Sequence, residues 1–186
     1  LEILIEGELK ELHFLHAEFS VAFQAIEVKN NNTLPENGLD LVEFMISTNK
    51  GEIAKPLAKI ASGGEISRIM LAFKQITGTY DHIPTMIFDE IDSGISGIAA
   101  SIVGKKLKGI SKNHQVICIT HLAQIAAFAE HHYRIFKEAE SERTTTGVEQ
   151  LGHTETAKEI ARLLGGINLT ETTMKNAEEL IALSQS

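Results

Sequence analysis

Three short stretches carry side chains suited to phosphate chemistry. "TMIFDEID", residues 85–92, runs from apolar residues into the adjacent carboxylates Asp89 and Glu90. In open α/β sheets, ligands bind at the carboxyl ends of strands. Asp89 there suits Mg²⁺ held through water, because Mg²⁺ keeps several waters and takes few carboxylates. Glu90 suits the orientation or deprotonation of an attacking water. Taken alone the pattern is a weak signal, and a pair of solvated loop acids explains it better. "VICITH", residues 116–121, delivers His121 at the end of a second apolar run. A histidine can donate to a phosphate oxygen or cap the following helix, and alone the structural role fits better. "ASGGEISRIMLAFK", residues 61–74, is a helix by the spacing of Ile66, Ile69, Met70 and Phe73. Ser62 and Glu65 fit the S-x-x-E capping box. That box does not explain Gly63 and Gly64, since each glycine costs a helix interior about 1 kcal/mol relative to alanine. Bare N–H groups and the positive end of the helix dipole suit a phosphate. On this stretch alone the capping and phosphate readings stand level.

Composition narrows the classes. The net charge of −8, from 17 basic and 25 acidic residues, argues against this chain alone gripping a nucleic-acid backbone. Lys105, Lys108 and Lys112 share a helix face, more simply solvated than bound to phosphate. Cys118 is the only cysteine, so no internal disulfide forms, and a reducing cytoplasm is compatible. The eight histidines show no metal-ligand spacing: His131 and His132 are adjacent, and H-E-x-x-H is absent. At 186 residues and 43% hydrophobic content, one sizeable core is expected. No apolar run approaches a membrane span and no signal peptide is present. The chain begins at Leu1 rather than Met, as a fragment or processed product does. The phosphate loop G-x-x-x-x-G-K-S/T is missing. The nearest stretch, "GISGIAASIVGKKLKG", fails the glycine spacing and has Lys106 where Ser or Thr is needed.

The elements that must position these residues follow from periodicity. Leu1, Ile5, Leu9 and Leu12 predict a helix over residues 1–13. Phe19, Val21 and Phe23 alternate as a half-buried strand, and "LVEFMIS", 41–47, is another, with Val42, Phe44 and Ile46 on one face. "NNNTLPENG", 30–38, is a loop, and "TNKGE" a turn into a hairpin. The glycine-opened helix runs to about Thr79. "TMIF" and "VICIT" predict parallel strands covered on both faces, joined through a helix carrying Ile98, Ile102, Val103 and Leu107. A helix over 122–130, a strand at "YRIFKE" and a strand or loop at "TTTGVEQL" follow. Thr156 and Glu159 cap a helix ended by Gly165 and Gly166, and a last helix carries Met174, Ala177 and Ile181.

Together the three stretches resemble the ATP-binding-cassette ATPases: the SGG signature, the Walker B strand and the switch histidine, in that order over residues 38–137. "DSGIS", Asp92, Ser93, Gly94, Ile95 and Ser96, falls at that superfamily's D-loop, which crosses the dimer interface. "GLDLVEFMISTNKGEIAKPLAKIASGGEISRIMLAFK", "FDEIDSGISG" and "THLAQIAA" narrow the resemblance to the C-terminal head segment of the RecN family, relatives of the SMC proteins. Ala61 stands where most cassette ATPases have leucine, and Ser96 where transporters have the D-loop aspartate.

The resemblance implies an α/β fold, the C-terminal lobe of a cassette-type ATPase head. It would have a parallel β-α-β core, flanking helices and an antiparallel strand pair near the N-terminus. It implies residues 1–13 as the end of a returning coiled-coil arm and 14–186 as the C-terminal half of the head. ATP and Mg²⁺ are the implied ligands. Glu90 and His121 are the implied catalytic residues, Asp89 holds the metal through water, and Ser62, Gly63, Gly64 and Glu65 reach ATP on a partner head. The implied partners are an N-terminal Walker A half of the same protein, a second head, and DNA through the complete protein. No membrane is expected, and the implied setting is the bacterial cytoplasm and nucleoid, in double-strand break repair and recombination. The rivals are a fragment of another cassette ATPase, transporter subunits included, and a non-catalytic module that kept the cassette shape.

Overall fold

The computed structural model describes residues 1–26, 38–60, 62–78, 80, 82–140, 143–166 and 168–185. Ala61, Thr79 and nearly all of the 30–38 loop lie outside the described residues. Packing divides the chain into two units, Leu1–His82 and Ile83–Ser186.

The first unit opens with α1, Glu2–Glu11, whose Ile5 and Leu9 are buried. Strand β1, Glu18–Ala25, pairs antiparallel with β2, Asp40–Ser47, placing Phe19 opposite Ile46, Val21 opposite Phe44 and Phe23 opposite Val42. The outer edge of β1 is held by α1. Glu2 Oε1 accepts from Val21 N at 2.7 Å, and Glu6 Oε1 from Phe19 N at 3.1 Å. Helical rise over four residues, about 6 Å, nearly matches about 6.6 Å for two strand residues, so one helix turn serves alternate strand N–H groups. After the turn, β3, Lys55–Pro56, pairs with β2, completing the expected hairpin. Helix α2, Gly63–Thr77, buries Arg68, Ile69, Leu71, Ala72 and Phe73, while Met70 is exposed. Phe19, Phe44 and Phe73 meet with ring centroids 5.4–5.6 Å apart, the tilted and edge-on contacts that aromatic quadrupoles favour. Burial fades along the strand pair: Phe19 and Ile46 are inside, whereas Phe23 and Val42 are exposed.

The second unit holds the expected β-α-β order. Strands β4, Thr85–Phe88, and β5, Gln115–Cys118, pair parallel from Thr85 opposite Gln115 to Phe88 opposite Cys118, with α3, Gly97–Ser111, between them in sequence. One expectation fails. The strands are not covered on both faces, since Met86 and Phe88 are buried but Ile87 is 67% exposed and Ile117 is exposed too. The apolar runs are there, but among the described residues one face of the pair stays exposed. Helix α4 is a single turn, Ala123–Ala126, shorter than periodicity predicts. Strands β6, His132–Glu140, and β7, Arg143–Leu151, form a hairpin, which settles "TTTGVEQL" as strand. Helix α5, His153–Gly165, starts three residues before Thr156, which is buried inside it rather than capping it. Gly166 ends it with φ 80°, a left-handed conformation natural to glycine. Helix α6, Glu171–Gln185, buries Ala177 against Ala123, Ala127, Ile160 and Ala161. Lys108 Nζ donates to Ser184 O at 2.7 Å. A cation at a helix C-terminus is favourable, and this bond takes Lys108 out of the solvated lysine face.

Candidate functional site

At the start of α2, Ser62 is an extended N-cap, with φ −90° and ψ 119°, and its Oγ accepts from Glu65 N at 3.4 Å. The first helical bond runs from Ile66 N to Ser62 O at 3.0 Å. The serine half of the capping box is therefore in place. The N–H groups of Gly63 and Gly64 precede the first intrahelical bond, where a helix leaves donors without helical acceptors. Gly63 is exposed and Gly64 buried, so Gly63 is the more approachable of the two.

The turn after β4 is built by Asp89. Its Oδ1 accepts from Glu90 N at 2.9 Å, and Glu90 adopts φ 55°. For an L-residue other than glycine this left-handed geometry costs about 1–2 kcal/mol. Glu90 O then accepts from Ser93 N at 3.0 Å, and Asp92 O from Ile95 N at 3.3 Å. Gly94, at φ 76°, continues the turn, and Ser96 is the N-cap of α3. Asp89 and Glu90 are exposed. Strain of this kind persists where the surroundings hold it, and it concentrates at functional positions.

Asp92 behaves differently from its neighbours. It is 4% exposed. Its Oδ2 accepts from Thr120 Oγ1 at 2.6 Å and from His121 N at 2.8 Å, and it lies 2.9 Å from His121 Nδ1. Thr120 Oγ1 in turn accepts from Leu122 N at 3.0 Å. A buried carboxylate is tolerable only with such donors around it. The His121 side chain is otherwise 74% exposed. Of the five D-loop residues, Asp92 thus turns inward, Ile95 is half-buried, and Ser93, Gly94 and Ser96 are exposed. Burial pushes the nearby Cys118 thiol up to about 12, and the charges of Asp92 and Asp89 add in the same direction. Cys118 is therefore a protonated thiol, not a nucleophile.

Among the described residues no group of three or more His, Cys, Asp or Glu could hold a metal ion. One exposed carboxylate, Asp89, fits Mg²⁺ that arrives with its own waters and with substrate phosphates. The strand-end turn can thus offer a metal-binding carboxylate, an exposed base and an outward imidazole. Asp89 and Glu90 directly follow β4, as the sequence predicts, whereas β5 stops at Cys118 and His121 lies three residues beyond it. Sequence reasoning missed the link from Asp92 to Thr120 and His121. The available signal was the Thr-His pair closing an apolar strand, with an aspartate three residues beyond Asp89.

No family model matches the chain. Proteins named DNA repair protein RecN do. That of Halalkalibacterium halodurans is 44% identical over 98% of this chain and 32% of its own length. That of Bacillus subtilis is 42% identical over 95% and 32%, and that of Treponema pallidum 48% identical over 95% and 31%. The chain therefore spans about a third of the length of these relatives. Among solved structures, the Smc head domain with a coiled coil and joint derived from Pyrococcus yayanosii matches with a TM-score of 0.57 at 21% identity, covering 86% of this chain and 28% of that one. The Smc head domain with an extended coiled coil, bound to the C-terminal domain of ScpA and derived from Pyrococcus furiosus, matches with a TM-score of 0.52 at 21% identity, covering 88% and 37%. The sequence likeness to RecN proteins spans nearly all of this chain, and the structural likeness gives its fold, that of an SMC head domain.

Proposed function

We propose that this segment supplies the Walker B carboxylates, the switch histidine and the signature helix start of an ATPase acting in DNA repair, with ATP held between two engaged heads. One observation carries the reading: Asp89 and Glu90 directly follow β4, with Glu90 held left-handed and exposed. The bend could be made by glycine, so it is the exposed carboxylate at this position that supports a catalytic role. In the complete protein Glu90 orients and deprotonates the attacking water, and His121 meets the γ-phosphate. Asp89 is the residue that would hold Mg²⁺, which would neutralise phosphate charge when bound. Ser62, Gly63, Gly64 and Glu65 offer the start of α2 to ATP on the partner head.

The segment works with a Walker A half, since its own sequence has no phosphate loop. The uncovered face of β4 and β5 supports this, because a two-stranded parallel sheet with exposed Ile87 and Ile117 is not a finished core. Helix α1 shows Leu1, Ile3 and Leu4 to solvent, in keeping with the end of a longer arm that reaches the head. Residues 14–186 are then the C-terminal half of that head. Engagement and release of heads would be coupled through the arms to DNA, in break repair and recombination. No helix among the described residues is long and apolar enough to cross a membrane, and the proposed setting is the bacterial nucleoid.

The test is Glu90→Gln in the complete protein. The amide keeps size and hydrogen bonding but accepts no proton near neutral pH. ATP affinity should hold while turnover falls by about 10²–10⁴-fold, the usual worth of a general base. Wild-type turnover in this variant would remove Glu90 from the role.

A further inference from the structure

We infer that Asp92 is a positioning residue that locks the His121 ring, with Nδ1–H turned inward and Nε2 presented outward. The inference rests on the ATPase reading for its catalytic meaning, but its geometry stands apart. A carboxylate oxygen only accepts hydrogen bonds. Asp92 Oδ2 receives Thr120 Oγ1–H at 2.6 Å and His121 N–H at 2.8 Å, so the ring nitrogen 2.9 Å away must also bring a proton. The bond made by one imidazole nitrogen fixes which nitrogen carries hydrogen.

Two features show the arrangement to be specific. First, the oxygen that holds the ring also holds the backbone N–H of the same residue. Ring and main chain of His121 are thus tied to one atom, which restricts the side-chain torsions as well as the tautomer. Second, Asp92 is 4% exposed while the His121 side chain is 74% exposed. The anchor is rigid and buried, and the anchored group faces outward. Thr120 completes the anchor by donating to Asp92 and accepting from Leu122 N at 3.0 Å.

A chemical consequence follows. With Nδ1–H engaged, a neutral ring carries a lone pair on Nε2, and only the imidazolium has an N–H there. His121 can therefore donate to a phosphate oxygen through Nε2 only as a cation. Asp92 is thereby assigned to the alignment of His121, not to an intersubunit contact.

The experiment has a spectroscopic arm and a kinetic arm. The 186-residue chain is labelled with ¹⁵N-histidine, and the neutral His121 ring is read by long-range proton–nitrogen correlation. The expected wild-type signature is a protonated Nδ1 and an unprotonated Nε2; the reverse tautomer overturns the proposal without need of any variant. Asp92→Asn should shift His121 toward the mixture of tautomers of an untethered imidazole. Thr120→Val removes a different donor from the same oxygen and should lower thermal stability while keeping the wild-type tautomer. A tautomer that shifts equally in both variants points to general loosening and overturns the proposal. In the complete protein, Asp92→Asn should lower kcat on the order of 10–100-fold, the range for losing a group that orients a working histidine, with little change in KM for ATP. In a His121→Ala background the same substitution should cost almost nothing more. A full additional loss in that background overturns the positioning role. Absence of turnover in the wild-type protein would count against the ATPase reading alone, and the tautomer result would still decide the role of Asp92.

Discussion

Glu90→Gly offers a direct measure of what the strand-end turn costs. The left-handed geometry at φ 55° costs a residue with a Cβ about 1–2 kcal/mol. Glycine removes that cost but widens the unfolded ensemble, which takes back about 0.4–1 kcal/mol. The net gain should fall between about 0 and 1.6 kcal/mol, or up to roughly 6 °C in melting temperature for a chain of this size. Glu90→Ala loses the same carboxylate but keeps the Cβ, so it should show no gain. Both variants retain the Glu90 N bond to Asp89 Oδ1 and the Ser93 N bond to Glu90 O, because both use main-chain atoms. The difference between the two variants is therefore the backbone strain less the unfolded-state cost of glycine. Thermal unfolding of the chain gives the stability arm, and ATP turnover of the complete protein gives the functional one. Turnover should fall by about 10²–10⁴-fold in both variants. A glycine variant less stable than the alanine variant by the full unfolded-state cost of about 0.4–1 kcal/mol would refute the claim that strain is stored at this position.

Three further outcomes are expected. The purified 186-residue chain should show no magnesium-dependent ATP turnover, and adding a Walker A half should restore it; clear turnover by the chain alone would contradict the missing phosphate loop. Gly63→Asp should keep the fold, because an acid in the first helical turn is favourable by about 0.3–1 kcal/mol, yet block ATP-driven dimerisation of the complete protein by bringing like charge to the γ-phosphate; normal dimerisation by light scattering would leave only the capping role. Cys118, with its thiol raised from 9.0 to about 12, should react with iodoacetamide at pH 8 at least 10²-fold more slowly in the folded than the unfolded chain; in denaturant titrations its contribution to stability should be complete below pH 9.0 and be lost as pH rises toward 12, because the unfolded state gives up the proton first.

Much of this was legible in sequence because it depended on local pattern. The helix start at Ser62, the strands β1 and β2, the turn into β3, and the parallel pair of β4 and β5 all follow from periodicity and turn residues over short windows. What was not legible depended on contacts between distant residues. The apolar runs of β4 and β5 predict cover on both faces, but a run of apolar residues cannot say whether its cover belongs to the same chain; here Ile87 and Ile117 are exposed. Thr156 resembles a cap by type, yet α5 begins at His153, because Gly152 O already accepts from Thr156 N. Arg68 lies in the apolar stretch of α2 and would be placed on the solvent face by residue type. It is instead buried, with its guanidinium 5.3 Å from the centroid of the Phe14 ring, a pairing made across 54 residues of chain that no window reveals. Asp92 was legible as a residue of the turn after β4, but its burial depends on Thr120 and His121, nearly thirty residues away.

The turn from Asp89 to Asp92 puts three carboxylates within four residues, where like charges repel unless they are separated or compensated. The fold does both. Asp92 is taken out of water and compensated by hydroxyl and main-chain donors and the His121 ring, and hydrogen bonds to a charged acceptor are each worth about 1.5–3 kcal/mol net. Asp89 and Glu90 stay in solvent, where repulsion is screened and a metal or water can reach them. The left-handed residue at position 90 begins the bend, and the bend returns Asp92 to the end of β5. The strain of about 1–2 kcal/mol at Glu90 is then smaller than the hydrogen bonding it makes possible at Asp92. This explains how an acidic residue is held in a conformation better suited to glycine. Stability and turnover are therefore expected to separate at that position. Glycine can make the same bend at lower cost, so the bend alone does not call for glutamate, and the carboxylate is what remains to be explained by function.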